Sequence, residues 1–176
     1  MNILKSQLPR RHLASVPQFA RYDLDRRALK DADREREFKA FIRLSVAMTG
    51  FTEAELASTG MGKEYFDELG VILGVGSRTR LLSCKVAPAH LMIDPFHGPL
   101  VRNLIRMWYL GQWKQLPETW IAALTKPDRE AFDDFGLNTD RVISARAYTQ
   151  GLAWTAIRAH PSGAKQPGFA SWSGKP

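Results

Sequence analysis

Apolar residues recur at three- and four-residue steps in three segments of this 176-residue chain. Such steps place side chains on one face of an α-helix, whereas a half-buried strand would alternate apolar and polar residues, and no convincing alternation is found. The pattern therefore predicts an all-α fold. The residues on these faces are Phe38, Phe41, Ile42, Ser45 and Met48, then Tyr65, Phe66, Leu69, Ile72 and Leu73, and then Leu100, Leu104, Met107 and Trp108.

Capping residues predict the ends of the first two helices. Asp31 or Asp33 can cap the first helix at its N-terminus, and Gly50 ends it. Thr52 and Glu55 have the spacing of a capping box, in which each side chain bonds the other residue's backbone N–H. This pair predicts a second, short helix directly after the first.

Glycines and prolines delimit the remaining elements. Gly74 is expected to end the third helix, and residues 78–86 form an apolar element of uncertain type. Pro99 suits the first turn of the next helix, where its missing N–H would have no partner anyway, and Gly111 suits a left-handed helix stop. A short helix is predicted over residues 118–124 and a weaker one over residues 140–148.

Composition divides the chain into three parts. Residues 1–30 carry mixed charge, two prolines and few periodic apolar positions, so we expect a long irregular N-terminal extension. Residues 31–160 hold the predicted helices and form one helical domain of ordinary size. Gly, Pro and Ser dominate residues 161–176, which predicts an irregular C-terminal tail that docks on another surface.

Positive charge is concentrated toward the C-terminus. The formal net charge is +7, and no acid follows Asp140. This balance suits an acidic protein partner or nucleic acid, or it belongs to a merely solvated basic tail. No recognition helix with clustered Arg, Lys and Asn follows a turn, so nucleic acid is not the expected partner. A basic nucleic-acid-binding domain and a stand-alone cytoplasmic interaction domain remain the alternative functions.

Few residues could carry catalysis or bind a cofactor. Gly74-Val75-Gly76 is half of a dinucleotide-binding motif, but Thr79 occupies the position of the third glycine. Cys84 is the only cysteine, which excludes an intrachain disulfide and a cysteine-based zinc site. Its apolar neighbours favour a small buried hydrophobe over a nucleophile. We therefore predict no catalytic residue and no cofactor in this chain.

His90, Asp94 and His97 form the only metal-like set in the sequence. Pro95 prevents a regular helix through them, so they would have to bind iron or zinc from a loop. Asp94 is more simply an N-cap of the next helix, beside two incidental imidazoles. We predict that this cluster is structural and holds no metal.

Three short motifs follow one another along the chain: Leu44-Ser45-Val46-Ala47-Met48-Thr49-Gly50-Phe51, Trp108-Tyr109-Leu110-Gly111, and Pro167-Gly168-Phe169-Ala170-Ser171-Trp172 running to Lys175-Pro176. In this order they resemble the small subunit of the bacterial membrane-bound FAD-dependent sugar and polyol dehydrogenases of the sorbitol, fructose, glucose and gluconate types. The resemblance spans residues 38–176. It implies a helical accessory subunit without FAD, which binds the large FAD-bearing subunit and supports its maturation. The large subunit passes electrons to a cytochrome c subunit of the same complex.

The aromatic motif residues are the predicted partner interface. Trp is frequent at interface hot spots, because its large amphipathic ring fills a partner's pocket. Core packing is the favoured interpretation for Trp108, whereas the interface is favoured for Trp172 in its Gly/Pro/Ser tail. By position in or beside the motifs, the residues expected to pack the subunit and hold its partner are Trp108, Tyr109, Gly111, Trp113, Pro167, Gly168, Phe169, Trp172, Lys175 and Pro176.

The resemblance also implies a periplasmic location. Arg10-Arg11 is similar to the arginine pair of an export signal, but the apolar stretch of about 7–15 residues that should follow is not found. An export signal is therefore not expected in this segment, and the cytoplasm is the alternative location. No apolar run approaches the ~20 residues of a membrane-spanning helix, so direct membrane insertion is not expected.

Overall fold

The computed structural model describes the backbone of residues 18–126, 129–130 and 138–159, and within these ranges the side chains from residue 30 onward. The chain divides into two compact units, Met1–Arg36 and Glu37–Pro176. Among the described residues, the helices and strands in chain order are α1 Gln18–Thr49, α2 Glu53–Ser58, α3 Gly62–Leu82, α4 Pro88–Leu91, α5 His97–Leu110, β1 Gln112–Trp113, α6 Glu118–Ala122, β2 Arg141–Val142, α7 Ala145–Thr149 and α8 Leu152–Ala156.

The regular secondary structure of the described residues is helical, apart from one two-stranded sheet, which confirms the all-α class. Strands β1 and β2 pair antiparallel, with Gln112 opposite Val142 and Trp113 opposite Arg141. Strands of two residues are too short to show any alternation, so the sequence pattern missed them. Within the described residues, no helix is long and apolar enough to cross a membrane.

Helix α1 begins earlier than predicted. The sequence pattern placed the helix start at Asp31 or Asp33, whereas the helical backbone already begins at Gln18. Neither aspartate is therefore an N-cap, and residues 18–30 are helical rather than irregular. Residues 18–30 lack an apolar stripe, but charged residues one turn apart can support a polar helix. Further along α1, Asp33 and Arg36 form an exposed ion pair of this kind.

The junction between α1 and α2 has the predicted geometry. Gly50 adopts a left-handed φ of 76° directly after α1. The Thr52 side chain accepts the Glu55 backbone N–H at 3.3 Å, and the Glu55 carboxylate accepts the Thr52 backbone N–H at 2.7 Å. This reciprocal pair is the capping box. The Thr52 hydroxyl also donates to the Glu55 carboxylate at 2.7 Å, and this bond, followed by the one from the Thr52 backbone N–H, lowers the pKa of Glu55.

Gly74 ends the first helical stretch of α3, as predicted, and a second stretch follows it after a kink. Gly74 has φ 71° and ψ 162°, which interrupts the helical backbone, but the helix resumes and continues to Leu82. The second half of α3 packs on α1, because the Arg78 guanidinium donates to the Glu37 carboxylate at 2.8 Å and lies 4.4 Å from the Phe66 ring centroid. The apolar element of uncertain type predicted at residues 78–86 is therefore helical as far as Leu82.

The predicted apolar faces of α1, α3 and α5 meet in the core of the larger unit. Trp108 from α5 lies between Phe41 of α1 and Tyr65 of α3, at centroid distances of 6.2 and 5.0 Å. Phe66 contacts Phe41 at 5.8 Å. All four side chains are at most 1% exposed. Edge and offset contacts of this kind are the favourable arrangements of aromatic rings.

Candidate partner interface

The second motif begins inside the core, at Trp108. Its indole Nε1 donates to the Ser45 hydroxyl at 2.9 Å, and that hydroxyl donates in turn to the Phe41 carbonyl at 2.8 Å. Ser45 and Trp108 are both buried. The only polar atom of the Trp108 side chain is therefore satisfied where a buried, unpaired donor would be costly.

Tyr109 joins the same two motifs nearer the surface. Its hydroxyl donates to the Thr49 carbonyl at 2.9 Å, and its ring meets the Phe51 ring edge-on at 5.9 Å. The Thr49 carbonyl belongs to the last turn of α1, where carbonyls have no partner within the helix. The first motif, residues 44–51, and the second, residues 108–111, are thus in direct contact although about 60 residues separate them along the chain.

Gly111 allows the C-terminal segment to approach the second motif. It ends α5 in the left-handed region, with φ 64° and ψ 27°. A Cβ at this position would lie 2.4 Å from the Ala147 carbonyl carbon and 2.6 Å from the Tyr148 nitrogen. Across the same contact, the Ile143 backbone N–H donates to the Gly111 carbonyl at 2.8 Å. Both its conformation and its surroundings therefore require glycine.

Two carboxylates of α3 hold the segment that begins with β2. The Ser144 hydroxyl donates to the Glu64 carboxylate at 2.6 Å, and Arg141 forms a partly buried ion pair with Glu68. Ser144 also accepts the Ala147 backbone N–H at 3.0 Å, which caps α7. The weaker helix predicted over residues 140–148 is therefore a strand followed by this short helix.

The structure corrects part of the predicted interface. Trp108 and Trp113 are each 1% exposed, and Gly111 is buried. The Trp113 indole donates to the Asn138 side chain at 3.3 Å. Because buried residues present no area to a partner, Trp108, Gly111 and Trp113 are part of the core and not of a contact surface. For Trp108 this confirms the core interpretation.

The other predicted interface residues differ in where they lie. Tyr109 is half-buried, so part of its side chain faces outward. The tail residues lie outside the described part of the chain, and their role stays a prediction; they are Pro167, Gly168, Phe169, Trp172, Lys175 and Pro176.

Exposed apolar side chains surround the junction of the two motifs. Leu110 is 41% exposed at the end of α5, Tyr148 is 37% exposed on α7, and Ile157 is 65% exposed after α8. The Trp154 ring packs edge-on against the Tyr148 ring at 5.4 Å, and its indole donates to the Tyr148 carbonyl at 2.9 Å. No sequence pattern pointed to Tyr148 or Ile157, because packing of distant elements decides which faces stay exposed.

Asp94 caps α5, as predicted. Its carboxylate accepts the backbone N–H of Phe96 at 3.0 Å and of His97 at 2.7 Å, and it lies 2.7 Å from the His97 Nδ1. The His97 backbone N–H is the main cause that lowers the pKa of the Asp94 carboxyl. His90 takes no part in these contacts. Among the described residues, no group of three or more His, Cys, Asp or Glu side chains is placed to hold a metal ion.

Comparisons with known proteins find no matching family model, no matching curated protein and no matching solved structure. The similarity to the dehydrogenase small subunits is therefore a similarity of three short motifs.

Proposed function

We propose that this chain is a non-catalytic accessory subunit of an FAD-dependent sugar or polyol dehydrogenase complex. In this proposal the chain binds the large FAD-bearing subunit and supports its maturation, and FAD belongs to that partner. The assembled complex is periplasmic and passes electrons to a cytochrome c subunit. Cell fractionation of the native host tests the location separately.

One observation carries the proposal: the first two motifs of the resemblance form a single structural unit. Ser45 and Thr49 of the first motif accept hydrogen bonds from Trp108 and Tyr109 of the second. The contact joins the last turns of α1 and α5, so both motifs contribute to one part of the fold. Their pairing supports the interpretation that they form the structural frame of such a subunit.

The surface beside this frame supports a partner-binding role. Leu110 on α5, Tyr148 on α7 and Ile157 directly after α8 expose apolar area, and both α7 and α8 contact α5. Exposed apolar patches commonly mark sites of protein association. The third motif begins at Pro167, eight positions after Ala159 along the chain. We therefore assign partner contact to this surface together with the tail.

Purification of the tagged chain from its native host tests the proposal. We expect a flavoprotein to co-purify, identified by mass spectrometry and by the absorbance of the released FAD. Ile157→Asp should weaken this association about tenfold or more, since a charge would enter an apolar contact. Val75→Asp is the matched control, because Val75 on α3 is exposed to nearly the same degree, 64% against 65% for Ile157.

Several outcomes would contradict the proposal. Co-purification of nucleic acid without a flavoprotein would favour the nucleic-acid-binding alternative. A flavin spectrum or sugar-dehydrogenase turnover from the isolated chain would contradict the non-catalytic role. Equal loss of the flavoprotein in Ile157→Asp and Val75→Asp would contradict the assignment of this surface.

A further inference from the structure

A groove of about 280 Å³ lies between α5 and the segment that follows β1. Positive side chains dominate its rim, whereas its remaining walls include two prolines and the backbone around Leu116. The rim cations are Arg102, Arg106 and Lys114, and the apolar lining residues are Pro99, Leu116 and Pro117.

Two of the cations stand one turn apart on the exposed face of α5. Arg102 donates one N–H to the Met92 carbonyl at 3.0 Å, and this bond holds the guanidinium at the groove. Its other N–H groups can donate to a ligand. Arg106 follows four residues later, and no hydrogen bond to another described residue is found for it. Side chains at this spacing are neighbours on a helix surface.

The opposite wall is held rigidly by a buried amide. The Asn103 side chain accepts the Lys114 backbone N–H and donates to the Lys114 carbonyl, both at 2.8 Å, and Asn103 is only 4% exposed. The position of Lys114 relative to α5 is therefore fixed by two hydrogen bonds. A groove with a fixed wall loses little entropy when it binds a ligand.

Asp140 shows how this site holds a carboxylate. It pairs with Lys114 and accepts the Gln115 backbone N–H at 2.7 Å. The Lys114 hydrogen bond is the main cause that lowers the pKa of Asp140, and the charge of Arg106 contributes. One carboxylate beside three cations leaves an excess of two positive charges at the groove.

We infer that this groove binds an acidic segment of the protein partner, with two carboxylates reaching Arg102 and Arg106. The inference rests on the proposed function for the partner being a protein, and it adds a second contact with that partner. Guanidinium groups bind carboxylates through paired hydrogen bonds, and the prolines offer apolar contact between them. A single-stranded nucleic acid is less suited, since the residues lining the groove include no aromatic ring on which a base could stack.

Fluorescence anisotropy with the full chain tests the inference. The probe is a short labelled peptide in which pairs of glutamates alternate with leucines, and its glutamine analogue is the neutral control. We expect the acidic peptide to bind at low salt, and R102Q/R106Q to weaken it on the order of tenfold. The matched control is R43Q/K63Q, which removes the same charge from exposed positions on α1 and α3.

Arg102→Gln also removes the bond to the Met92 carbonyl, so R106Q alone is measured as the variant that disturbs no hydrogen bond. Weakening by R106Q and by the double variant, with R43Q/K63Q unchanged, supports the groove. Equal weakening by both double variants, or no binding of the acidic peptide, overturns it. Tighter binding of a labelled single-stranded oligonucleotide, also lost in R102Q/R106Q, overturns it in favour of nucleic acid.

Co-purification of the flavoprotein separates this inference from the proposed function. If the wild-type chain and R102Q/R106Q retain the flavoprotein equally, the groove is not a contact with that partner, while the accessory function stands. If no flavoprotein is retained by the wild-type chain, the proposed function fails, whatever the peptide result.

Discussion

Gly111→Ala should strongly destabilise the chain, because two independent costs fall on one residue. The left-handed conformation at φ 64° costs a residue with a Cβ about 1–2 kcal/mol. The new Cβ would also lie 2.4 Å from the Ala147 carbonyl carbon, a backbone atom that cannot turn aside. Overpacking of this kind costs about 1–3 kcal/mol. We therefore expect a loss of about 2–5 kcal/mol in the free energy of unfolding.

Two other glycines provide matched controls for the separate costs. Gly50 has a similar φ of 76°, but a Cβ there would meet nothing within 4 Å, so Gly50→Ala carries only the conformational cost. At Gly60, with φ 67°, the nearest atom is the end of the flexible Arg146 side chain, which can move if it gives up its exposed hydrogen bond to the Gly60 carbonyl. We expect both substitutions to cost about 1–2 kcal/mol.

Urea denaturation followed by far-UV circular dichroism measures all three variants. The difference between Gly111→Ala and Gly50→Ala isolates the cost of the close approach to α7. In thermal melts, each kcal/mol should lower Tm by roughly 2–4 °C for a chain of this size. Equal losses in Gly111→Ala and Gly50→Ala would show that α7 does not pack tightly against the end of α5, and would refute the reasoning.

Further predictions concern the core, the cap and the tail. Ser45→Ala should cost about 1–3 kcal/mol in urea unfolding, because it leaves the buried Trp108 indole N–H without its acceptor. Asp94→Ala should cost about 1 kcal/mol of unfolding free energy near neutral pH through the lost cap. Because folding lowers the pKa of Asp94, its stabilisation is present above the ordinary pKa of 3.8 and is lost as pH falls through the folded-state value. Wild type and variant should therefore have the same stability in acid. Elemental analysis that found stoichiometric iron or zinc, absent after His90→Ala, would contradict the structural role of this cluster. Truncation after His160 should leave Tm nearly unchanged but weaken association with the flavoprotein about tenfold or more, and Trp172→Ala should reproduce much of that loss. Unfolding on truncation would show instead that the tail packs on its own core.

Local sequence signals predicted the ends of several elements correctly. Gly50 and Gly111 adopt the left-handed conformations expected of helix stops, and Thr52 forms its capping box with Glu55. Asp94 caps the helix that it precedes. Each of these features depends on residues within about one helical turn, so a single sequence contains all the information that they need.

Features that depend on distant contacts were missed or misplaced. The sequence left the type of the apolar element at residues 78–86 open, whereas the second half of α3 packs on α1 through the bond from Arg78 to Glu37, 41 positions away. Strands β1 and β2 exist only as a pair, and two residues carry no periodicity. The start of α1 was missed because a polar helix shows no apolar stripe.

By itself, the sequence determined the helical class, the main helix faces and the residues that end them, because backbone sterics and the 3.6-residue period act over a few residues. Only the tertiary structure decided which apolar side chains are buried and which stay exposed. Trp108 and Trp113 are buried, whereas Tyr148 and Ile157 are exposed. The sequence shows that all four side chains are largely apolar, but the exposure of each depends on which distant helices pack over it.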